Sequence, residues 1–178
     1  MTNSHLQESA KMALETIPES GQYLTFKLDE EFFTVNVHNV REILEYLKIT
    51  KMPDAPPFMR GIINVRGSVI PVIDLRLKFG MEETIPRPTT RIIVLEIERE
   101  IGNLVIGALA DSVKEVIELT AGQVEPPPDT GTRWKKDYIT GVGKYNDEFI
   151  MLLDIGRLFS HEELTTLDDQ TESSAMAR

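Results

Sequence analysis

Gly61 to Phe79 reads GIINVRGSVIPVIDLRLKF, and Gly141 to Phe159 reads GVGKYNDEFIMLLDIGRLF. Laid over one another at an offset of 80 residues, the two stretches pair Ile70 with Ile150, Asp74 with Asp154 and Phe79 with Phe159. Each consists of two short β-prone runs around a polar turn, Gly67-Ser68 in one and Asn146-Asp147 in the other, which is the pattern of a hairpin. Each then ends in an aspartate followed by a short amphipathic run, Leu75 to Phe79 and Ile155 to Phe159. An aspartate at that place caps the exposed amides of a helix start and is favoured by the helix dipole. The repeat therefore accounts for both carboxylates without invoking a catalytic pair.

A second match lies upstream of each hairpin. Asn39 to Leu44 falls over Ser112 to Ile117 at an offset of 73, keeping a valine, a cation, a glutamate and two aliphatics in order. The offset grows by seven residues between the two matches, and the difference is assigned to an insertion at Gly131 to Asp137, around Trp134. Such self-similarity marks a duplicated unit. Two more hairpins are predicted, Gln22 to Leu28 with Phe32 to Val37, and Arg91 to Glu98 with Leu104 to Ala108. Val40 to Leu44 reads as a tight strand-to-helix bend. Long helical periodicity is almost absent, so the expected fold is mainly β, two small closed barrels packed together with short helices.

Along the chain this gives a mobile N-terminal arm over residues 1–20, with a short helix near Lys11 to Glu15, and a duplicated region over 21–160. Its halves fall at about 21–84 and 85–160, with strands free to exchange between them. Residues 161–178 are read as a helix at His161 to Leu167 followed by a flexible tail.

Composition narrows the function. The chain has 178 residues and 41% hydrophobic content, enough for an ordinary buried core. It has no cysteine, which removes disulfides and thiolate metal sites and fits a cytoplasmic setting. There is no signal-peptide pattern at Met1 to Ser20 and no apolar run of membrane-spanning length, so direct membrane insertion is not expected. With 29 acidic against 19 basic residues the formal charge is -10, which repels phosphate backbones and argues against nucleic acid as a partner. The histidines at 5, 38 and 161 are scattered, so neither a metal nor another cofactor is expected. Ser68 lacks the setting of a nucleophile elbow, and Gly141-Val142-Gly143 lacks the third glycine of a dinucleotide fingerprint. No catalytic residue is assigned.

Two stretches exceed what scaffold alone requires: Val40-Arg41-Glu42-Ile43-Leu44, and Arg60 to Gly67, in which arginines and glycines bracket an apolar strand. The run Arg60 to Arg76 closely resembles the glycine-x-x-asparagine-leucine-arginine-glycine, then proline-x-x-aspartate-leucine-arginine, signature of the CheW family. Further similarity lies in Gly21 to Phe26, Val40 to Ile43, Gly107 to Leu119 and Tyr138 to Gly143, so the resemblance spans about 21–160. Val65 stands where the family commonly has leucine, and the Trp134 region and both tails diverge.

The resemblance implies two SH3-like barrels without catalytic activity, an adaptor that couples methyl-accepting chemoreceptors to the histidine kinase CheA. The implied partners are the cytoplasmic receptor tip and the CheA regulatory domain, with ring assembly alongside the kinase and recruitment to membrane-associated arrays. Carried over position by position, the receptor contacts are Val40, Glu42, Asn64 and Arg66, joined by Val113 and Val116 on the pseudo-repeat. Arg66 is expected to pair with Glu42 across a groove between the barrels. Kinase-contact residues are left unassigned. A coupling protein of a related pathway, such as one for twitching motility, is the alternative.

Overall fold

The computed structural model describes residues 20–127 and 137–176. The expected N-terminal arm with its helix near Lys11, and the insertion around Trp134, lie outside the described residues. Eleven strands form two sheets. The first hairpin is β1 (Ser20–Leu28) with β2 (Glu31–Asn36), and β3 (Val40–Glu45) follows it. Then come β4 (Met59–Val65), β5 (Ser68–Asp74), β6 (Arg91–Ile97) and β7 (Leu104–Ala110). The last group is β8 (Ser112–Thr120), β9 (Val124–Glu125), β10 (Ile139–Tyr145) and β11 (Glu148–Leu153). Helix α1 is Leu75–Lys78 and helix α2 is His161–Met176.

The five-stranded sheet runs β3-β6-β7-β5-β4, and the six-stranded sheet runs β8-β1-β2-β11-β10-β9. The five-stranded sheet is thus drawn from a continuous stretch, and the six-stranded one from both sides of it. The sequence boundary near residue 84 falls inside the five-stranded sheet, between β5 and β6. Hairpin β1–β2 stands in the six-stranded sheet where β6–β7 stands in the other, because β11 pairs in parallel with β2 as β5 does with β7. Among the described residues neither sheet closes into a hydrogen-bonded ring; the orders are open, so the expected barrels are incomplete.

The repeat is visible in detail. The strand register slips between Met59 and Gly61 in one hairpin and between Ile139 and Gly141 in the other, 80 residues apart. The Asp74 amide donates to the Phe58 carbonyl at 2.7 Å, and the Asp154 amide to that of Tyr138 at 2.8 Å. Both aspartates cap as expected: Asp74 accepts from the Arg76 amide and Asp154 from the Gly156 amide, although Ile155–Arg157 winds as a 3-10 turn.

Each sheet has its own small apolar cluster, around Ile63, Val72 and Ile92 in one and Tyr23, Ile150 and Leu152 in the other. A larger shared core lies between them, with Phe26 and Phe33 from one side and Ile73, Ile93 and Ile106 from the other. Across it the aromatic rings interlock reciprocally. Phe79 stacks on Tyr138 at 5.1 Å between centroids, while Phe159 meets Phe58 at 5.7 Å. These are equivalent pairs at the 80-residue offset, so the contact resembles a two-fold interface folded into one chain. Burial in this core pushes the Tyr138 hydroxyl up to about 12. Arg76 adds a polar clasp, bonding Asp111 between β7 and β8 at 2.8 Å and also pairing with Asp29 in the β1–β2 turn.

Two local expectations are corrected. Val40 to Leu44 is strand β3 and is preceded, not followed, by a helical turn, Val37–Asn39, capped by Asn36. Its alternation of half-buried and exposed residues suits a strand with one face on the core. The C-terminal helix continues past Leu167 to Met176. It starts in a reciprocal cap between Ser160 and Glu163, buries Leu167 completely, and is held further along by Arg99, which grips Asp168 at 2.7 and 3.1 Å.

Candidate functional site

The β4–β5 turn is a two-residue loop between paired Val65 and Ser68. Both loop residues take left-handed backbone, Arg66 with φ 49° and Gly67 with φ 88°. That is the hairpin geometry matching strand twist, and it normally selects Asn-Gly. Asn64 staples the turn, its Oδ1 accepting from the Gly67 amide at 2.9 Å. In the equivalent β10–β11 turn the left-handed residues are Asn146, also with φ 49°, and Asp147, with φ 63°. An arginine here costs roughly 1 kcal/mol that an asparagine would largely avoid, which directs attention to what its side chain does.

Arg66 reaches across to β3 and pairs with Glu42. The pairing of β3 with β6 slips between Val40 and Glu42, a bulge of the kind that re-aims a side chain. Arg66 is 74% exposed and Glu42 only 26%. One carboxylate oxygen of Glu42 takes the arginine; the other, Oε1, is buried and has no hydrogen-bond partner among the described residues.

Glu42 and Arg66 line a cleft of about 680 Å³ whose floor includes Val69, Ile70 and Val105. Its far wall is the C-terminal part of α2, through Asp168, Thr171 and Glu172. The composition of residues 168–172 gives little indication of this wall; the Ser160-x-x-Glu163 capping pattern was the available sign that a longer helix starts there. Glu163 is drawn below the ordinary carboxylate range. Burial alone would raise it, but hydrogen bonds from Lys78 at 2.6 Å and from the Ser160 amide outweigh that.

The six residues singled out from the sequence divide between the two sheets, with Val40 and Val113 packed against the same shared core. Glu42, Asn64 and Arg66 come together around the turn, and Val40 is half-buried against the shared core beside them. Val113 lines a different hollow on the six-stranded sheet, with Phe32, Lys114 and Tyr145. Val116, 52% exposed, lies farther along β8. In the repeat, Glu115 occupies the place of Glu42 and Asn146 that of Arg66, so the ion pair has no counterpart there.

The family described as CheW-like domain matches residues 22–163. The chain belongs to the CheW family. It is 34% identical over 164 residues to the chemotaxis protein CheW of Klebsiella aerogenes, covering 92% of this chain and 95% of the relative. It is 30% identical over 149 residues to protein FrzA of Myxococcus xanthus, covering 83% and 89%. The crystal structure of the scaffolding protein TtCheW from Thermoanaerobacter tengcongensis superposes with a TM-score of 0.71 at 34% identity, covering 82% of this chain and 92% of that one. With this match the architecture is the mainly β, two-subdomain SH3-like fold of CheW proteins. Among the described residues no helix is long and apolar enough to cross a membrane.

Proposed function

We propose that this CheW-family chain is a non-catalytic chemotaxis adaptor, which seats a chemoreceptor tip in the Glu42–Arg66 cleft and joins it to the regulatory domain of CheA. The observation that carries the reading is Arg66, held in left-handed backbone at the mouth of an open cleft and paired with a glutamate whose second oxygen is unpartnered. A helical hairpin tip presents aliphatic ridges and a few polar groups. The apolar floor supplies affinity, while Arg66 and Glu42 set register and reject wrong partners. Asn64 acts here through the turn, positioning Arg66, and Val40 supports β3 from beneath. Val113 and Val116 enter as a second contact patch on β8.

For the kinase, the reciprocal stacking of two equivalent subdomains within this chain supports packing against a similar subdomain of the partner, and contacts of that kind permit closure into rings. The adaptor then acts by a coupling free energy, favouring one arrangement of receptor and kinase. Such a protein works in the cytoplasm and reaches the receptor arrays through its partners. The likeness to FrzA, a relative not named for chemotaxis, supports as the second reading a related chemosensory pathway, such as one for twitching motility.

The test is a binding titration of the full chain with a receptor-tip fragment and, separately, with a kinase regulatory domain. Arg66→Glu weakens the first by roughly a hundredfold with circular dichroism unchanged, and Val40→Asp, where it stays folded, weakens it too. If folded variants bind the tip as the parent does, the cleft assignment is wrong; if the parent binds no kinase domain, the adaptor reading fails.

A further inference from the structure

The duplication carries part of the first cleft onto a groove of the six-stranded sheet, while Lys114, Glu115 and Asn146, the equivalents of Arg41, Glu42 and Arg66, line a separate hollow. The 80-residue offset carries Val69, on the floor of the Glu42–Arg66 cleft, onto Phe149. Matching the parallel pairings, Val72 with Gly107 and Leu152 with Thr34, carries Val105 onto Phe32. Phe149 and Phe32 indeed line a groove of about 780 Å³ together with Val142 and Met151. Phe149 is 66% exposed, a large apolar ring left in solvent.

In the first cleft, the wall opposite the sheet is a helix. The cleft's basic side chains, Arg41 and Arg66, stand on the sheet, and the helix brings Asp168 and Glu172. The second groove has no such wall among the described residues. Its rim carries five carboxylates, Glu30, Glu31, Glu125, Asp147 and Glu148, and none of its lining residues is basic. Phe32 already receives a cation within the chain, the Lys27 ammonium at 5.1 Å from its ring centroid, so its surroundings tolerate positive charge over the ring.

We propose that the groove over β2 and β11 docks a helical segment of a partner protein, apolar on one face and lined by lysine or arginine on its flanks. The duplication supplies the floor, since Val69 and Val105 of the helix-walled cleft map onto Phe149 and Phe32. The rim supplies the charge, since five carboxylates around an apolar floor are complementary to a basic amphipathic helix and repel an acidic one. Phe149 is the central anchor, and Glu125 and Glu148 fix orientation. The surface is separate from the Glu42–Arg66 cleft, so the proposal stands or falls independently of the receptor assignment.

The experiment uses the full chain and two labelled synthetic helices of the same leucine pattern, one with lysine flanks and one with glutamate flanks, followed by fluorescence anisotropy. The lysine helix binds saturably and more weakly as salt rises, and the glutamate helix does not bind. Phe149→Ala and the pair Glu125→Lys with Glu148→Lys each weaken binding by about tenfold or more, whereas Arg66→Ala leaves it unchanged. Equal binding of both helices, no binding of the lysine helix, or indifference to both groove variants overturns the proposal. So does tighter binding after Arg133, Lys135 and Lys136 are changed to Gln, which would assign the groove to the chain's own basic run.

Discussion

The two hairpins Met59–Asp74 and Ile139–Leu153 share a register slip, a two-residue left-handed turn and a capping aspartate, yet they carry opposite surfaces. On the five-stranded sheet the turn offers Arg66, opposed by Glu42 and overlooked by an acidic helix. On the six-stranded sheet the same turn offers Asn146 and Asp147, and the groove beside it is rimmed by carboxylates and, among the described residues, has no helical wall. Duplication conserved the backbone problem and its solution, and left the side chains on the groove face free to diverge. Where backbone demands and side-chain chemistry disagree, as at Arg66, the proposed receptor contact offers a reason for the disagreement.

The glycines that begin the two hairpins give the largest test of that equivalence. Gly61 has φ 147°, and a Cβ there would sit 2.1 Å from the Thr50 carbonyl oxygen, which is backbone and cannot move aside. At Gly141 the nearest obstacle is a Val124 methyl at 2.5 Å, a side chain that can shift. Gly61→Ala therefore costs about 4 kcal/mol and Gly141→Ala about 2 kcal/mol, measured by urea denaturation. Equal costs would break the comparison.

Next in size is the ion pair. Arg66→Glu sets two carboxylates against each other and weakens receptor-tip binding by roughly a hundredfold, read by calorimetry, whereas Asn146→Glu leaves it unaltered. Third, Arg66→Asn copies the turn of the other hairpin. It raises stability by about 1 kcal/mol while losing receptor-tip binding, a separation of folding from function that a purely structural arginine would not show.

The smallest effect concerns the helical wall of the Glu42–Arg66 cleft. Glu163 titrates lower in the folded chain than in the unfolded chain, so its contribution is complete above the ordinary value of 4.5 and disappears as the pH falls through the folded value. Glu163→Gln then destabilises by about 0.5 kcal/mol at neutral pH, and the two proteins converge in strong acid. Thermal melts across that range read the convergence.

Much of this was legible because turns and repeats are local. Asp74 and Asp154, the four hairpins and the Glu42–Arg66 pair all follow from patterns a few residues long or from one family motif. Sheet membership does not. Nothing near Gln22 or Phe32 reveals that β1 will pair with β8, or that β2 will lie beside β11, some ninety to 120 residues away. β3 was mistaken for a helical bend because its alternation is short and its charged positions, Arg41 and Glu42, stand at a bulge. The helical wall was missed because Asp168 to Met176 has almost no apolar periodicity; Arg99, distant in sequence, holds it instead.

The interleaved strand order also has a consequence for how the protein is made. By Ala110 every strand of the five-stranded sheet has been synthesised, and that sheet can assemble while the rest of the chain is still being translated. Hairpin β1–β2 emerges before the other described strands, but β8 and β11, which flank it, end only at Thr120 and Leu153. At ordinary rates of elongation that is a delay on the order of ten seconds, during which both edges of an apolar hairpin are unpaired. The first-made hairpin of the two sheets is thus among the last parts to be completed, and its core rings Phe26 and Phe33 are exposed to misassembly in the interval.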